Sequence, residues 1–144
     1  MRKVSKVVAV IVVSALSTVA TFAHHSFAAE YDQSKPVMVK GTVNKVAWVN
    51  PHAYLYIDVK DEKGKVTVWA FELLSPNALS RQGWNAKSLL PGQEVTVDGY
   101  AAKDGKLLVD GSVHANSRMV TTADGKKVYI GTSLGDTTTT GRGQ

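Results

Sequence analysis

The alternation of apolar and polar residues predicts a series of short β-strands that follow an apolar N-terminal run. In residues 53–60 (AYLYIDVK) the apolar positions alternate with Tyr, Asp and Lys, as in a strand that buries one face. Residues 66–73 (VTVWAFEL) are apolar on both faces and predict a buried strand. Residues 37–48 are rich in β-branched side chains and predict the first strand, with a bulge or sharp bend at Gly41.

The second half of the chain begins with a helix signal and returns to strands. Ser75 followed by Pro76 is typical of a helix start, and Gly83 is a plausible C-terminal cap for a helix of about two turns. Four further segments predict strands, and the last two of them form a hairpin: residues 94–101, 107–115, 118–122 and 127–130.

Three strands, a short helix and two more strands is the order of an OB-fold. We therefore predict an all-β protein with one short helix, built as a five-stranded OB-fold-like Greek-key barrel with a C-terminal hairpin. A small open β-sandwich is the alternative. Residues 37–131 would form this domain, preceded by a segment of residues 24–36, and residues 132–144 have too few apolar side chains to pack and predict a disordered tail.

The N-terminus has the pattern of an export signal. A basic start, residues 1–6, precedes an apolar run, residues 7–20, which is short for a membrane span. Small residues at the positions read by signal peptidase favour cleavage after Ala23, with Ala20 and Ala28 as rival sites, and an uncleaved anchor as the alternative. We predict a signal peptide of residues 1–23, a location in the periplasm or outside the cell, and no membrane span in the mature chain.

Charge and cysteine content narrow the function classes. The whole chain carries a net charge of +5, but removal of Arg2, Lys3 and Lys6 with the leader lowers it to +2. No concentrated basic face is visible, so nucleic acid is not an expected partner. The absence of cysteine excludes disulfides, a thiolate nucleophile, thiolate–zinc sites and a lipoprotein anchor.

Several separated motifs carry a family resemblance. His24-His25-Ser26-Phe27 is followed by Trp48-Val49-Asn50-Pro51-His52-Ala53, and then by Trp69-Ala70-Phe71-Glu72-Leu73. In this order, and over residues 24–132, the chain resembles a family of small exported bacterial proteins known only as a domain of unknown function. The resemblance implies an exported OB-like domain and implies no reaction. Fold alone does not determine function.

Histidines are the candidate metal ligands. Cleavage after Ala23 would give His24 a free α-amine, which can chelate a metal together with its own ring nitrogen, and His52 or His25 would add a further ligand. Amine and imidazole nitrogens suit Cu(II), the only cofactor that the sequence suggests. The alternative is that the histidine pair is incidental and that His52 bonds a turn backbone. His114 shares a face with Asp110 and Ser112, and we expect that face to point outward.

Aromatic and polar residues near the first loop are candidate ligand contacts: Asn50, His52, Tyr54, Tyr56 and Trp69. OB-folds use such loops and aromatic faces for binding, although the same aromatics also suit the core and rim of a small barrel. Glu72 stands alone in an apolar strand, where it would pair with Arg81 or cap a backbone group, and an isolated carboxylate does not make a catalytic pair.

Three functions remain after this survey. The first is an exported, non-enzymatic module that binds a small ligand or a periplasmic protein. The second is a periplasmic copper-binding protein that uses His24 with His52 or His25. The third is a structural envelope protein whose edge strands or tail engage a partner.

Overall fold

The computed structural model describes residues 27–131. Strands dominate this part of the chain, and its helices are short. The elements are α1 (Phe27–Glu30), β1 (Tyr31–Ala47), β2 (Tyr54–Lys60), β3 (Val66–Glu72), α2 (Pro76–Arg81), β4 (Glu94–Ala102), a 3₁₀ turn (Lys103–Gly105), β5 (Val113–Thr122) and β6 (Lys127–Ile130). Within residues 27–131 no helix is long and apolar enough to cross a membrane.

The first five strands close into a barrel. The antiparallel order is β3-β2-β1-β4-β5, and a parallel pairing of β3 with β5 joins the two ends of this order. Strand β6 pairs only with β5 among the described strands and lies outside the ring. This topology confirms the predicted OB-fold-like barrel with a C-terminal hairpin.

Strand β1 contributes to both sides of the barrel. It begins at Tyr31, six residues before the predicted start, and Thr42 pairs with β2 and β4 at once. At the neighbouring Gly41, a Cβ atom would lie 2.6 Å from the carbonyl oxygen of Asp58. The missing side chain therefore lets β1 and β2 approach closely where the strand changes partners, which explains the glycine in the first strand.

The barrel interior is filled by the side chains that the alternating patterns place on one face. Leu55, Ile57 and Phe71 are fully buried there. Helix α2 begins as predicted, with the Ser75 hydroxyl accepting a hydrogen bond from the Ala78 amide and Pro76 at the first helical position. Trp84 is buried after this helix, and its indole N–H donates to a β6 carbonyl at 2.8 Å.

The predicted strands 107–115 and 118–122 are wrong in their bounds. A turn ends the first segment early, because Gly111 adopts a positive φ of 81° and the Asp110 carboxylate accepts a hydrogen bond from the Ser112 amide at 3.0 Å. A single strand, β5, then runs without interruption through Thr122. This difference changes the surroundings of His114, which lies at the start of β5.

Candidate functional site

The candidate site lies on the outer face of the barrel wall formed by β2, β3 and β5. Tyr54 of β2 pairs with Glu72 of β3, and His114 of β5 pairs with Ala70 of β3. Paired residues in a sheet point to the same side. Their neighbours along the strands, such as Phe71, point inward and belong to the core. Glu72 and His114 therefore project away from the barrel interior.

The segment before the barrel covers this outer face. The Phe27 ring packs 5.2 Å from the Tyr31 ring and 5.6 Å from the Tyr100 ring, measured between centroids. The Lys103 ammonium group donates to the Ala28 carbonyl and ties α1 to the end of β4. As a result, polar residues on the outside of a barrel become buried between α1 and the wall.

Glu72 is the centre of a polar cluster in this covered space. Its Oε2 atom accepts hydrogen bonds from the hydroxyl of Tyr31 at 2.7 Å and from that of Tyr54 at 3.3 Å. Its Oε1 atom contacts Nδ1 of His52. The Nε2 atom of His114 lies 3.9 Å from Oε2. We call this set, together with the neighbouring carboxylate of Glu30, the Glu72 cluster: Glu30, Tyr31, His52, Tyr54, Glu72 and His114.

The contacts keep Glu72 ionised although only 8% of the residue is exposed. Burial by itself would raise the pKa of Glu72, but the nearby His114, the hydrogen bond from Tyr31 and the His52 ring together lower it below its usual value. Burial and the charge of Glu72 raise the pKa of Tyr31 and of Tyr54, so both phenols stay protonated and serve as donors. The cluster is thus an anionic site lined by hydrogen-bond donors.

His114 is more enclosed than the sequence indicated. It lies on the outer face of β5, as expected, but only 2% of it is exposed, because α1 and Tyr31 lie over it. Asp110 and Ser112, which were expected to share its face, belong to the preceding turn instead. The Nε2 atom of His114 is 2.9 Å from the Tyr31 hydroxyl oxygen, and its Nδ1 atom is 3.7 Å from Oε1 of Glu30.

The structure brings together only some of the residues predicted from the sequence. His52 and Tyr54 belong to the Glu72 cluster. Tyr56 shares the outer face, but its ring is covered by the Lys45 ammonium group, 4.4 Å from the centroid. Trp69 points toward the core and stacks on Phe71 with 5.7 Å between ring centroids.

The remaining predicted residues either make no hydrogen bond to the cluster or lie outside the described residues. Asn50 is exposed in the loop before His52 and, within residues 27–131, makes no side-chain hydrogen bond to the cluster. The candidate metal ligands His24 and His25, the predicted signal peptide and the predicted tail of residues 132–144 lie outside the described residues.

The sequence reasoning missed Glu30 and Tyr31 and gave Glu72 the wrong partner. Arg81 is exposed, and the partners of Glu72 are Tyr31, Tyr54 and His52. One signal was available, because a lone carboxylate in an otherwise apolar strand must find hydrogen-bond donors if it is buried. No periodicity in residues 27–36 indicated that this segment would supply them.

Comparison with protein-family models gives a match. The model of a family of unknown function, DUF6152, matches residues 10–110. The chain belongs to this family. The matched part of this DUF6152 protein includes Glu30, Tyr31, His52 and Glu72, and it ends shortly before His114. No curated protein and no solved structure shows significant similarity to the chain.

Proposed function

We propose that this DUF6152 protein is an exported, non-enzymatic binding module that takes a small organic cation at His52, Tyr54 and Glu72. One observation carries the proposal. Glu72 is an ionised carboxylate at the centre of the cluster, and two of the residues that contact it, His52 and Tyr54, are partly exposed at the surface. The side chain of His52 is 31% exposed, so a ligand can reach the pair from solvent.

Charge and aromatic surface both favour a cationic ligand. Glu30 and Glu72 place two carboxylates in the cluster, and Asp110 lies close enough to Tyr56 that it raises the pKa of that phenol, after the larger effect of burial. The Lys45 ammonium group already lies over the Tyr56 ring. An amine bound beside Tyr54 would repeat this cation–π contact within reach of Glu72.

The contacts within the Glu72 cluster do not include a nucleophile paired with a base, which covalent catalysis needs. Within residues 27–131 neither cluster histidine is hydrogen-bonded to a serine or threonine hydroxyl, and the whole sequence contains no cysteine. The contacts of Glu72 with Tyr31, Tyr54 and His52 hold it as an acceptor. This arrangement suits recognition of a donor group better than proton transfer to a reacting atom.

Calorimetric titration with benzylammonium chloride tests the ligand proposal. The protein used is the exported form, without the predicted signal peptide. We expect binding that weakens at least about tenfold in Glu72→Gln, which removes the charge of the carboxylate, and in Tyr54→Leu, which removes the ring of the cation–π contact. Tyr56→Leu is the matched control, since Tyr56 lies on the same strand and face and does not contact Glu72, and the affinity of this variant should be unchanged. Equal affinity in all four proteins would reject the site, as would the absence of heat with the unmodified protein.

Export is part of the proposal and rests on the basic start, the apolar run and the small residues before His24. Intact mass of the protein recovered from the periplasm of a bacterial host tests it. We expect a chain that starts at residue 24. A mass that includes residues 1–23, with the protein retained in the cytoplasm, would exclude export.

A second candidate function is copper binding through His24 with His52 or His25. Phe27 favours it, because its contact with Tyr31 anchors the chain beside the Glu72 cluster. His24 comes three positions before Phe27, and three extended residues span at most about 11 Å, so copper ligands from both parts of the chain need no longer reach than this. Cu(II) titration of the protein that starts at residue 24, followed by electron paramagnetic resonance, should show nitrogen coupling that is lost in His24→Ala. Tight binding that survives His24→Ala would reject this ligand.

A further inference from the structure

Three residues of metal-ligand type meet in the covered part of the Glu72 cluster. Glu30 comes from the end of α1, Glu72 from the end of β3 and His114 from the start of β5. One donor atom from each residue lies within 4.8 Å of the donor atoms of the other two. Proximity of acidic groups alone does not make a metal site. Whether these three residues can bind an ion depends on which ring nitrogen of His114 carries a proton and which is free to coordinate.

Hydrogen bonds determine which nitrogen of His114 carries a proton. The Tyr31 hydroxyl has one proton, and it is donated to the ionised Oε2 of Glu72 at 2.7 Å. The same hydroxyl oxygen lies 2.9 Å from Nε2 of His114 and must therefore accept a hydrogen bond from that nitrogen. With the proton on Nε2, the neutral form of the ring presents the lone pair of Nδ1, and this is the form that binds a metal ion.

That lone pair has no hydrogen-bond partner among the described residues, although the atom is buried. The nearest acidic atom is Oε1 of Glu30, 3.7 Å away. This separation is too long for a hydrogen bond, which spans about 2.7–3.2 Å. Two ligand atoms that each lie about 2.0–2.2 Å from one zinc ion can be up to about 4.2 Å apart. The gap between Nδ1 and the Glu30 carboxylate therefore matches an ion held between them, and Glu72 approaches from the Nε2 side of the ring, with its Oε2 atom 3.9 Å from Nε2.

We propose that Glu30, Glu72 and His114 form a binding site for one divalent first-row transition-metal ion of the zinc type, with Nδ1 of His114 as the nitrogen ligand. Two carboxylates balance the charge of such an ion, and imidazole selects it over the hard cations Mg²⁺ and Ca²⁺. The inference shares Glu72 with the proposed ligand site but does not rest on it, because it requires neither export, nor His24, nor an organic cation.

The neighbours of the three residues act as positioning groups. Tyr31 holds the ring of His114 through Nε2, which is the usual arrangement for a histidine that binds a metal through its other nitrogen. His52 holds the second oxygen of Glu72. Because Glu30 lies at the end of α1, the bound ion would also link this helix to β3 and β5.

Titration of the full chain that carries His24→Ala and His25→Ala tests the site without the N-terminal histidines. Co²⁺ is the spectroscopic probe, and Zn²⁺ displaces it. We expect one Co²⁺ per chain, visible absorption typical of low coordination number, and a stabilised protein at saturating Zn²⁺. In this background Glu30→Gln should weaken Zn²⁺ binding at least about tenfold, the scale seen when metal-site partners are removed.

Glu30→Gln is the decisive variant because the Glu30 side chain is 29% exposed and can change without opening the core. Glu94→Gln is its matched control, since Glu94 is exposed on β4 and, among residues 27–131, forms an ion pair with Lys40 and no contact with the Glu72 cluster. Its Zn²⁺ affinity should stay within about twofold of the background, as expected for a surface carboxylate.

A signal from the histidine ring separates a metal site from a simple ion pair. In ¹⁵N spectra, the Nδ1 resonance of His114 should shift at saturating Zn²⁺ while Nε2 keeps its proton. Failure to bind one ion per chain would overturn the proposal. Undiminished affinity in Glu30→Gln, or a proton found on Nδ1 at saturating Zn²⁺, would overturn it as well. The benzylammonium titration uses different variants, so the two proposals can fail separately.

Discussion

Replacing Tyr31 by phenylalanine tests the hydrogen-bond chain on which the cluster depends. The change removes one oxygen atom and keeps the ring that packs against Phe27 and His114. That oxygen donates to the buried Glu72 carboxylate at 2.7 Å and lies 2.9 Å from Nε2 of His114. Its loss therefore leaves two buried polar groups with fewer partners, while the apolar packing stays the same.

The magnitude follows from those two contacts. A hydrogen bond to a charged group contributes about 1.5–3 kcal/mol, and a buried polar group left without a partner costs about 1–3 kcal/mol. Because both effects share one hydroxyl, they do not simply add, and we expect Tyr31→Phe to lower the free energy of unfolding by about 2–4 kcal/mol. Tyr54→Phe removes a longer bond, 3.3 Å, from a half-buried ring and should cost only about 0.5–1 kcal/mol.

Urea unfolding at pH 7, followed by tryptophan fluorescence, measures both variants against the unmodified protein. The dependence of the unfolding free energy on urea should be unchanged, because the folded surface is the same. A second signature is pH dependence. The Tyr31→Phe penalty should shrink well below pH 4.5, the ordinary pKa of the carboxyl, once Glu72 is protonated and the charge-assisted bond is lost in both proteins.

A Tyr31→Phe cost no larger than that of Tyr54→Phe would refute this reasoning. It would mean that the Tyr31 hydroxyl is not the main donor to Glu72. The assignment of the proton on His114 would then fail too, and with it the metal site inferred from that assignment.

Two further predictions concern acid stability and close backbone packing. The folded pKa of Glu72 lies below its ordinary 4.5, so its contribution is present above pH 4.5 and is lost as the pH falls further. Below pH 4.5 the unfolding free energy of Glu72→Gln should therefore depend less steeply on pH than that of the unmodified protein. Parallel plots of unfolding free energy against pH for the two proteins would contradict this. Gly99→Ala should cost about 3 kcal/mol or more in thermal unfolding, because its Cβ would lie 1.8 Å from the Asn116 carbonyl oxygen. Gly64→Ala, at a φ of 80° in open space, is the control and should cost about 1 kcal/mol; equal costs would count against the close approach.

The strand patterns in the sequence were sufficient to predict the architecture. Alternation in residues 53–60 identified the buried face of β2, and Ser75-Pro76 located the helix that precedes β4. These features are local, because side-chain period and capping chemistry depend on residues a few positions apart. The turn at Asp110–Gly111 was not predicted from the sequence. Strand β5 therefore begins at Val113 and not at residue 107, where the strand was predicted to start.

Only part of the Glu72 cluster could be predicted from local sequence patterns. His52 and Tyr54 could be proposed because they lie near a loop that OB-folds use for binding. The sequence showed Glu72 as an isolated charge but did not show its partners. Tyr31 lies 41 positions from Glu72 along the chain, and His114 lies 83 positions from Tyr31. No local rule connects residues at such separations.

The sequence by itself thus determined most of the strands, the helix after β3, the order of these elements and the face that fills the barrel, because hydrophobic periodicity and capping act over short distances. Only the tertiary structure decided that α1 covers the outer wall, that His114 is buried there and that Tyr31 links it to Glu72. The physical reason is that burial of a polar side chain depends on which distant segment packs over it. Here the segment before the barrel encloses an ionised carboxylate together with the donors that stabilise it.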